Sequence, residues 1–209
     1  MEDKNYLEKC YRELLEITEV SRETFEKCVD YINLLLKWNK KINLVSKKHE
    51  NFDDIWKRHF IDSAQLLKHI PRETKIITDF GSGGGFPGIV IAILGNYQLH
   101  LIESDIRKCA FLNEASRLVK KDIQVHNERI ENISSWQSDV LTARALASVD
   151  KLLNLTEDFH GKSKICLFLK GQNVVEELKE AQANWSFDYN MYDSQSSSDG
   201  RILEITNLK

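Results

Sequence analysis

The sequence predicts an α/β fold: a mostly parallel sheet with helices on both faces, closed by an antiparallel hairpin and preceded by a helical cap. Three observations carry this. From Lys75 onward, short β-like runs alternate with helical ones, the pattern of strands joined by helical crossovers. The stretch Asp79-Phe80-Gly81-Ser82-Gly83-Gly84-Gly85-Phe86-Pro87-Gly88 holds five of the chain's nine glycines, directly after the apolar run Ile76-Ile77-Thr78. Near the end, two strand-like runs at 187–192 and 201–206 are joined by a short polar loop rich in serine, which makes them a hairpin.

The elements follow in order. Leu7, Tyr11, Leu14 and Leu15, then Phe25, Val29, Ile32, Leu35 and Leu36, lie at helical spacing and fit two helices broken near 18–21. Residues 53–67 repeat the pattern through Ile55, Trp56, Phe60, Ile61, Ala64 and Leu67, and Pro71 closes the segment. Residues 1–70 are therefore read as a helical cap and 71–209 as one compact unit. That unit reads as strand 75–80, helix 87–94, strand 97–103, helix 107–119, strand 122–127, strand 139–144, helix 148–158, strand 163–169, helix 172–183 and the hairpin. The apolar run Gly88-Ile89-Val90-Ile91-Ala92-Ile93-Leu94 reads as a buried helix, far short of the roughly 20 residues of a membrane span.

Composition excludes several classes. Cys10, Cys28, Cys109 and Cys166 are far apart with no C-x-x-C pair, and no two histidines stand four apart, so neither a disulfide framework nor a structural metal is expected. The start, Met1-Glu2-Asp3-Lys4-Asn5, has no apolar segment of the export type, which points to a cytoplasmic protein. Net charge is −3 but unevenly spread. Residues 1–30 carry nine acids and five bases, whereas 37–58 carry seven bases (Lys37, Lys40, Lys41, Lys47, Lys48, Lys57 and Arg58) against three acids. That basic segment is either a phosphate-facing patch or a solvated helix face.

A strand opening into a glycine cluster is built to hold a nucleotide-like cofactor, because glycine admits positive φ and lets a ligand approach bare backbone. Gly83 to Gly88 satisfies G-x-G-x-x-G, and Glu103, 18 residues past Gly85, can accept both hydroxyls of a ribose. These features alone suit NAD and S-adenosylmethionine alike. Three points favour S-adenosylmethionine. Asp79 ends the first strand with a carboxylate that suits the methionine ammonium and repels a pyrophosphate. The C-terminal hairpin resembles the usual ending of the methyltransferase version of the fold. No second domain remains for a hydride donor's substrate. A P-loop is excluded, since no G-K-[ST] follows the glycines.

The residues resemble one family, the small-subunit ribosomal RNA guanine-N7 methyltransferases of the RsmG or GidB type. The likeness runs through Leu36-Lys37-Trp38-Asn39-Lys40-Lys41-Ile42-Asn43-Leu44, Arg58-His59-Phe60-Ile61-Asp62-Ser63, the glycine loop with its Phe86-Pro87-Gly88 ending and Arg107-Lys108-Cys109-Ala110-Phe111-Leu112. It continues in Arg129-Ile130-Glu131, Ala143-Arg144-Ala145-Leu146-Ala147-Ser148, Leu169-Lys170-Gly171 and Gly200-Arg201. The resemblance implies a Rossmann-like class I S-adenosylmethionine-dependent methyltransferase, with 16S rRNA in the small subunit or an assembly intermediate as partner. By the same resemblance Gly81 and Phe86 contact the cofactor, Ile130 and Glu131 border its adenine, and Arg144 lies where cofactor and target base meet. Ser82, Gly84, Glu103 and Ala143 depart from the family's common Thr, Pro, Asp and Ser.

The chemistry agrees with what the sequence lacks. Guanine N7 carries a lone pair and no proton, so alignment with the methyl donor suffices and no general base is needed. The fourth strand ends in Ala143-Arg144-Ala145, without the N-P-P-Y or D-P-P-Y run that grips an exocyclic amine. Arg144 and Lys170, ending the fourth and fifth strands, are assigned to catalysis and to one anionic substrate. Asp79, Gly81, Gly83, Gly85, Phe86, Glu103, Ile130, Glu131 and Arg144 are assigned to the cofactor, and Arg129 and Arg201 join Arg144 and Lys170 on RNA. Trp38 reads as packing, with base stacking as its alternative, and His59 as a structural histidine beside Asp62, with catalysis as its alternative. A monomer without metal is expected. A same-fold methyltransferase of small molecules or proteins, an NAD-binding redox protein and a non-catalytic RNA binder remain open.

Overall fold

A computed structural model of the chain describes residues 3–160 and 165–209. Met1 and Glu2 of the expected cap, and residues 163–164 of the expected fifth strand, lie outside these.

The sheet has seven strands: β1 (Ile76–Phe80), β2 (Gln98–Glu103), β3 (Ile123–Asn127), β4 (Val140–Arg144), β5 (Ile165–Lys170), β6 (Asp188–Asp193) and β7 (Arg201–Thr206). Their order is β3-β2-β1-β4-β5-β7-β6. The first five in that order pair in parallel, β7 runs antiparallel to β5, and β6 antiparallel to β7. Strand order reverses between β1 and β4, and ligands bind in the crevice such a reversal opens at the carboxyl edge. Glu103, Arg144 and Lys170 end three of the parallel strands on that edge.

The cap begins with α1 (Lys4–Leu15) and α2 (Arg22–Asn39). The Ser21 side chain accepts from Thr24 N–H and so caps the start of α2. Residues 53–67 are expected to form one helix, and here the structure differs. The run consists of α3 (Phe52–Ile55), a π-helical turn Trp56–Ile61, α4 (Asp62–Ala64) and a 3-10 turn Gln65–Lys68. The wide turn keeps Phe52, Trp56 and Phe60 stacked, with centroids 6.3 and 4.8 Å apart. It also brings the Arg58 carbonyl, His59 and Asp62 to a common partner described below. Such turns recur at functional sites, and a 3.6-residue apolar period does not reveal them.

Four helices pack on the sheet between the strands: α5 (Gly88–Leu94), α6 (Ile106–Val119), α7 (Val149–Leu155) and α9 (Val174–Ala181), with the short α8 (Glu157–His160) following α7. The helix expected at 148–158 is broken at Thr156, whose hydroxyl donates back to Leu152 O at 2.8 Å. The buried apolar residues form two clusters. In one, Leu14, Phe25, Ile32 and Trp56 of the cap join Ile91 of α5, Leu101 of β2 and Phe111 of α6. The cap and the sheet thus share a core. In the other, Phe80, Leu141 and Phe168 of the sheet pack with Leu153 and Leu178. Trp38 sits edge-on to Phe111, and its indole N–H donates to Glu114 at 3.1 Å. Its contacts are those of a packing residue on α6.

Candidate cofactor and substrate site

The glycine loop is clipped onto the end of β2. Gly81 N–H and Ser82 N–H both donate to Ile102 O, at 2.9 and 3.1 Å, and Gly83 N–H donates to Glu103 Oε2 at 2.9 Å. Gly85 N–H turns back onto Ser82 O. Most of the N–H groups expected to face a ligand are therefore spent within the protein. What the loop offers is shape: Gly81 has φ +66°, and a Cβ there would meet Leu146 Cδ1 at 2.7 Å. The cap fixes the loop from behind, where the Tyr31 hydroxyl donates to Gly84 O at 2.5 Å.

Past Gly81 lies a cavity of about 370 Å³, lined by Gly81, Glu103, Arg129, Ile130, Glu131 and Leu146 among others. Its size falls in the range of small-molecule sites, about 300–1,000 Å³. Glu103 is buried, and its two oxygens accept from Gly83 N–H and Asp105 N–H, which fixes the carboxylate. Each oxygen keeps a lone pair for a ribose hydroxyl. A bare glycine backbone at one end and an oriented acceptor at the other fit S-adenosylmethionine.

Other expected cofactor residues lie elsewhere. Gly83, Gly85, Phe86 and Asp79 line neither this cavity nor its neighbour. Phe86 is buried between Tyr31 and His59, with ring centroids at 5.6 and 5.1 Å. Asp79 is fully buried beneath the loop. Its Oδ1 accepts from Thr142 Oγ1 at 2.8 Å, and Oδ2 lies 2.9 Å from where a Cβ at Gly88 would stand, with Leu101 Cδ2 nearer still. Burial pushes this carboxyl up to about 6, against the pull of the Thr142 hydrogen bond.

A second cavity of about 570 Å³ adjoins the first. Ala145, Leu146 and Ala147 line both and form their common wall. Ala145 has φ +51°, a left-handed conformation that turns the chain sharply after Arg144.

Arg144 lines the second cavity but not the first. Its guanidinium donates to Arg58 O at 2.7 Å and to His59 Nδ1 at 2.6 Å, and Nε lies 3.3 Å from Asp62 Oδ2. A guanidinium only donates, so His59 Nδ1 is an acceptor and the ring's proton is on Nε2. The R-H-x-x-D-S segment is a cradle for this arginine.

Lys170 is likewise engaged. Its ammonium pairs with Glu177 Oε2 at 2.5 Å and donates to Ala147 O at 2.7 Å. Arg144 and Lys170 are thus not two free cations facing one anion. Each is neutralised by a carboxylate, and Lys170 holds the common wall in place. Arg201 donates to Ser198 O and Gly200 O and pairs with Asp193, which makes it the clasp of the hairpin loop. Arg129 is exposed at the rim of the first cavity. Sequence reasoning missed the part played by Leu146, Ala147 and the serine loop, which line the cavities through turns that carry no periodic signal.

Fold and site together define a class I S-adenosylmethionine-dependent methyltransferase. The chain belongs to the family described as GidB, rRNA small subunit methyltransferase G, whose family model matches residues 24–203. Among its relatives named ribosomal RNA small subunit methyltransferase G, that of Rhodospirillum rubrum is 46% identical over 186 residues, 89% of this chain and 92% of the relative. That of Gluconobacter oxydans is 45% identical over 193 residues, 92% and 98% of the two. That of Rickettsia prowazekii is 42% identical over 190 residues, 91% and 97%.

Solved structures share the fold. A ribosomal protein L11 methylase from Lactobacillus delbrueckii subsp. bulgaricus superimposes with TM-score 0.57 at 14% identity, over 69% of this chain and 76% of that one. The magnesium protoporphyrin IX methyltransferase ChlM from Synechocystis PCC 6803, with bound S-adenosylmethionine, gives 0.57 at 11% identity, over 84% and 96%. The family membership sets aside the NAD-binding alternative. Among the described residues no helix is long and apolar enough to cross a membrane, and no group of three or more His, Cys, Asp or Glu is placed to hold a metal.

Proposed function

We propose that the protein methylates N7 of a guanine in 16S ribosomal RNA, with residues 1–70 serving as a cap on the methyltransferase unit 71–209. The reading continues to a monomeric cytoplasmic enzyme acting on a small subunit or an assembly intermediate. One observation carries it: a cavity large enough for a base shares the Ala145–Ala147 wall with the cavity that fits the cofactor. Bound S-adenosylmethionine supplies an electrophilic methyl on a sulfonium. The protein's own residues hold and exclude rather than exchange protons. Gly81 makes room for the cofactor and Glu103 takes its ribose hydroxyls, and Arg144, fixed by Arg58, His59 and Asp62, shapes the base side.

The side chain ending β4 is a cation that does not accept a proton, which suits an acceptor nitrogen that carries none. Thiol chemistry at a pyrimidine C5 is disfavoured, because burial pushes Cys109 and Cys166 up to about 11 and about 12 and neither lines the second cavity. The roles of Ile130 and Glu131 at adenine, and of Arg129 toward RNA, belong to the same proposal.

The test is transfer of labelled methyl from S-adenosylmethionine to small subunits, and to naked 16S RNA, from cells lacking the protein. Strand scission at 7-methylguanine then maps the label. Label at one guanine N7, stronger on particles, is the expected result. Label on protein, or on no RNA substrate, refutes the reading.

A further inference from the structure

We propose that the loop 194–200, between β6 and β7, is the base-reading arm of the second cavity, with the Asp199 carboxylate accepting the N1–H and N2–H donors of the target guanine. The inference rests on the guanine reading above and names the group that selects the base.

The loop is held where it can read. Ser194 Oγ and Ser196 Oγ both donate to Asp62 Oδ1, at 2.9 and 2.8 Å, and Gln195 N–H donates to Gln65 Oε1 at 2.7 Å. From the other side Arg201 grips Ser198 O and Gly200 O at 2.8 and 2.7 Å, and Gly200 N–H closes a turn on Ser197 O. Ser196, Ser197, Asp199 and Gly200 then form one side of the cavity whose wall also includes Ala145–Ala147. An arm fixed at both ends loses little entropy on binding.

Among the described residues, the charges around the cavity leave one group for the ligand. Arg144 is paired with Asp62, Lys170 with Glu177 and Arg58 with Asp54, while His59 accepts from Arg144. Asp199 is exposed, lines the cavity and has no side-chain partner among the described residues. An ionised carboxylate only accepts hydrogen bonds. On the Watson–Crick edges of the four RNA bases, only guanine sets two N–H donors side by side. Adenine and cytosine set a donor beside an acceptor, and uracil offers one donor between two acceptors. A carboxylate therefore takes guanine in a bidentate, charge-assisted pair and repels the acceptor edges of the others. With that edge on the hairpin loop, the opposite edge, which carries N7, is left for the wall shared with the cofactor cavity.

The test uses small subunits assembled with RNA in which the mapped guanine is replaced by inosine, which keeps N7 and N1–H but lacks the N2 amine. Wild type and Asp199→Ala are compared on both substrates, with Asp199→Asn as a third protein and with melting temperature and cofactor affinity as controls. Wild type is expected to lose at least tenfold in kcat/KM on inosine. Asp199→Ala is expected to lose at least tenfold on guanine and to discriminate less than twofold between the two, with controls unchanged; Asp199→Asn falls between. Equal discrimination by wild type and Asp199→Ala overturns the role of Asp199 while leaving guanine as the target. Absence of guanine label with wild type refutes the functional reading itself, and the inference with it.

Discussion

The Arg144 guanidinium lies 3.3 Å from the Asp62 carboxylate, and the other oxygen of that carboxylate receives the hydroxyls of Ser194 and Ser196. One acid in the cap thus ties together the end of β4, the cap itself and the hairpin loop. Side-chain exposures of 18% for Arg144 and 12% for Asp62 put the pair where water screens little.

Asp62→Ala leaves the guanidinium largely buried without its counter-charge and two serines without their acceptor. The expected loss is about 3 kcal/mol, the low end for breaking a buried pair, because Arg58 O and His59 remain. Asp62→Asn, which keeps an acceptor for the serines, is expected to lose less. Urea unfolding midpoints of the two variants check the order.

Gly81→Ala is expected to weaken cofactor binding at least tenfold while costing about 1–2 kcal/mol of stability. The stability cost comes from φ +66°, unfavourable once a Cβ is present. The binding loss comes from that Cβ entering the cavity beside Leu146, whose side-chain end can shift. Calorimetric titration with S-adenosylhomocysteine separates the two effects.

Asp79 has a folded-state pKa raised by burial from 3.8 to about 6, so between those values the folded chain holds a proton the unfolded chain has released. Stability from this group is therefore lost as pH rises from about 4 to about 6. Asp79→Asn is expected to raise stability at pH 7 by up to about 3 kcal/mol, at about 1.4 kcal/mol per pKa unit. The gain is expected to vanish toward pH 4. Urea unfolding at both pH values tests this.

His100 and His126 act in the opposite sense. One nitrogen of each ring lies 3.0 Å from the other, His126 stacks on Trp136 while His100 is tilted against it, and burial lowers both pKa values, with the charge of His126 adding to the effect on His100. Above 6.5 both states are neutral and the contribution is complete. Below 6.5 the unfolded chain takes up protons that the folded pair refuses, so stability falls with pH. Replacing His100 by phenylalanine is expected to flatten the slope of stability against pH between 6.5 and 5.

The sheet was legible because its signal is local. The alternation from Lys75 placed each strand within two residues of its observed bounds over the described residues, and the serine loop marked the antiparallel ending. The charges were not legible. Arg144 and Lys170 read as cations at a ligand-binding edge, but their counter-ions come from Asp62 in the cap and Glu177 on α9, partners that spacing along the chain does not disclose. Asp79 read as a ligand group because it stands at the carboxyl end of β1, one residue before Phe80, and its side chain lies under the loop, accepting from Thr142 and close to Gly88. The π-helical turn escaped notice because stacking of Phe52, Trp56 and Phe60 preserves a helical apolar pattern across it.

The most direct measurement is a crystal structure with S-adenosylhomocysteine bound, since the account places two ligands on either side of Ala145–Ala147. The expected density has the ribose hydroxyls on Glu103, the adenine beside Ile130 and Glu131, and the sulfur at Leu146 facing the second cavity. A ligand seated in the cavity of Arg144 and Lys170, or a sulfur directed away from the shared wall, contradicts the assignment of both cavities.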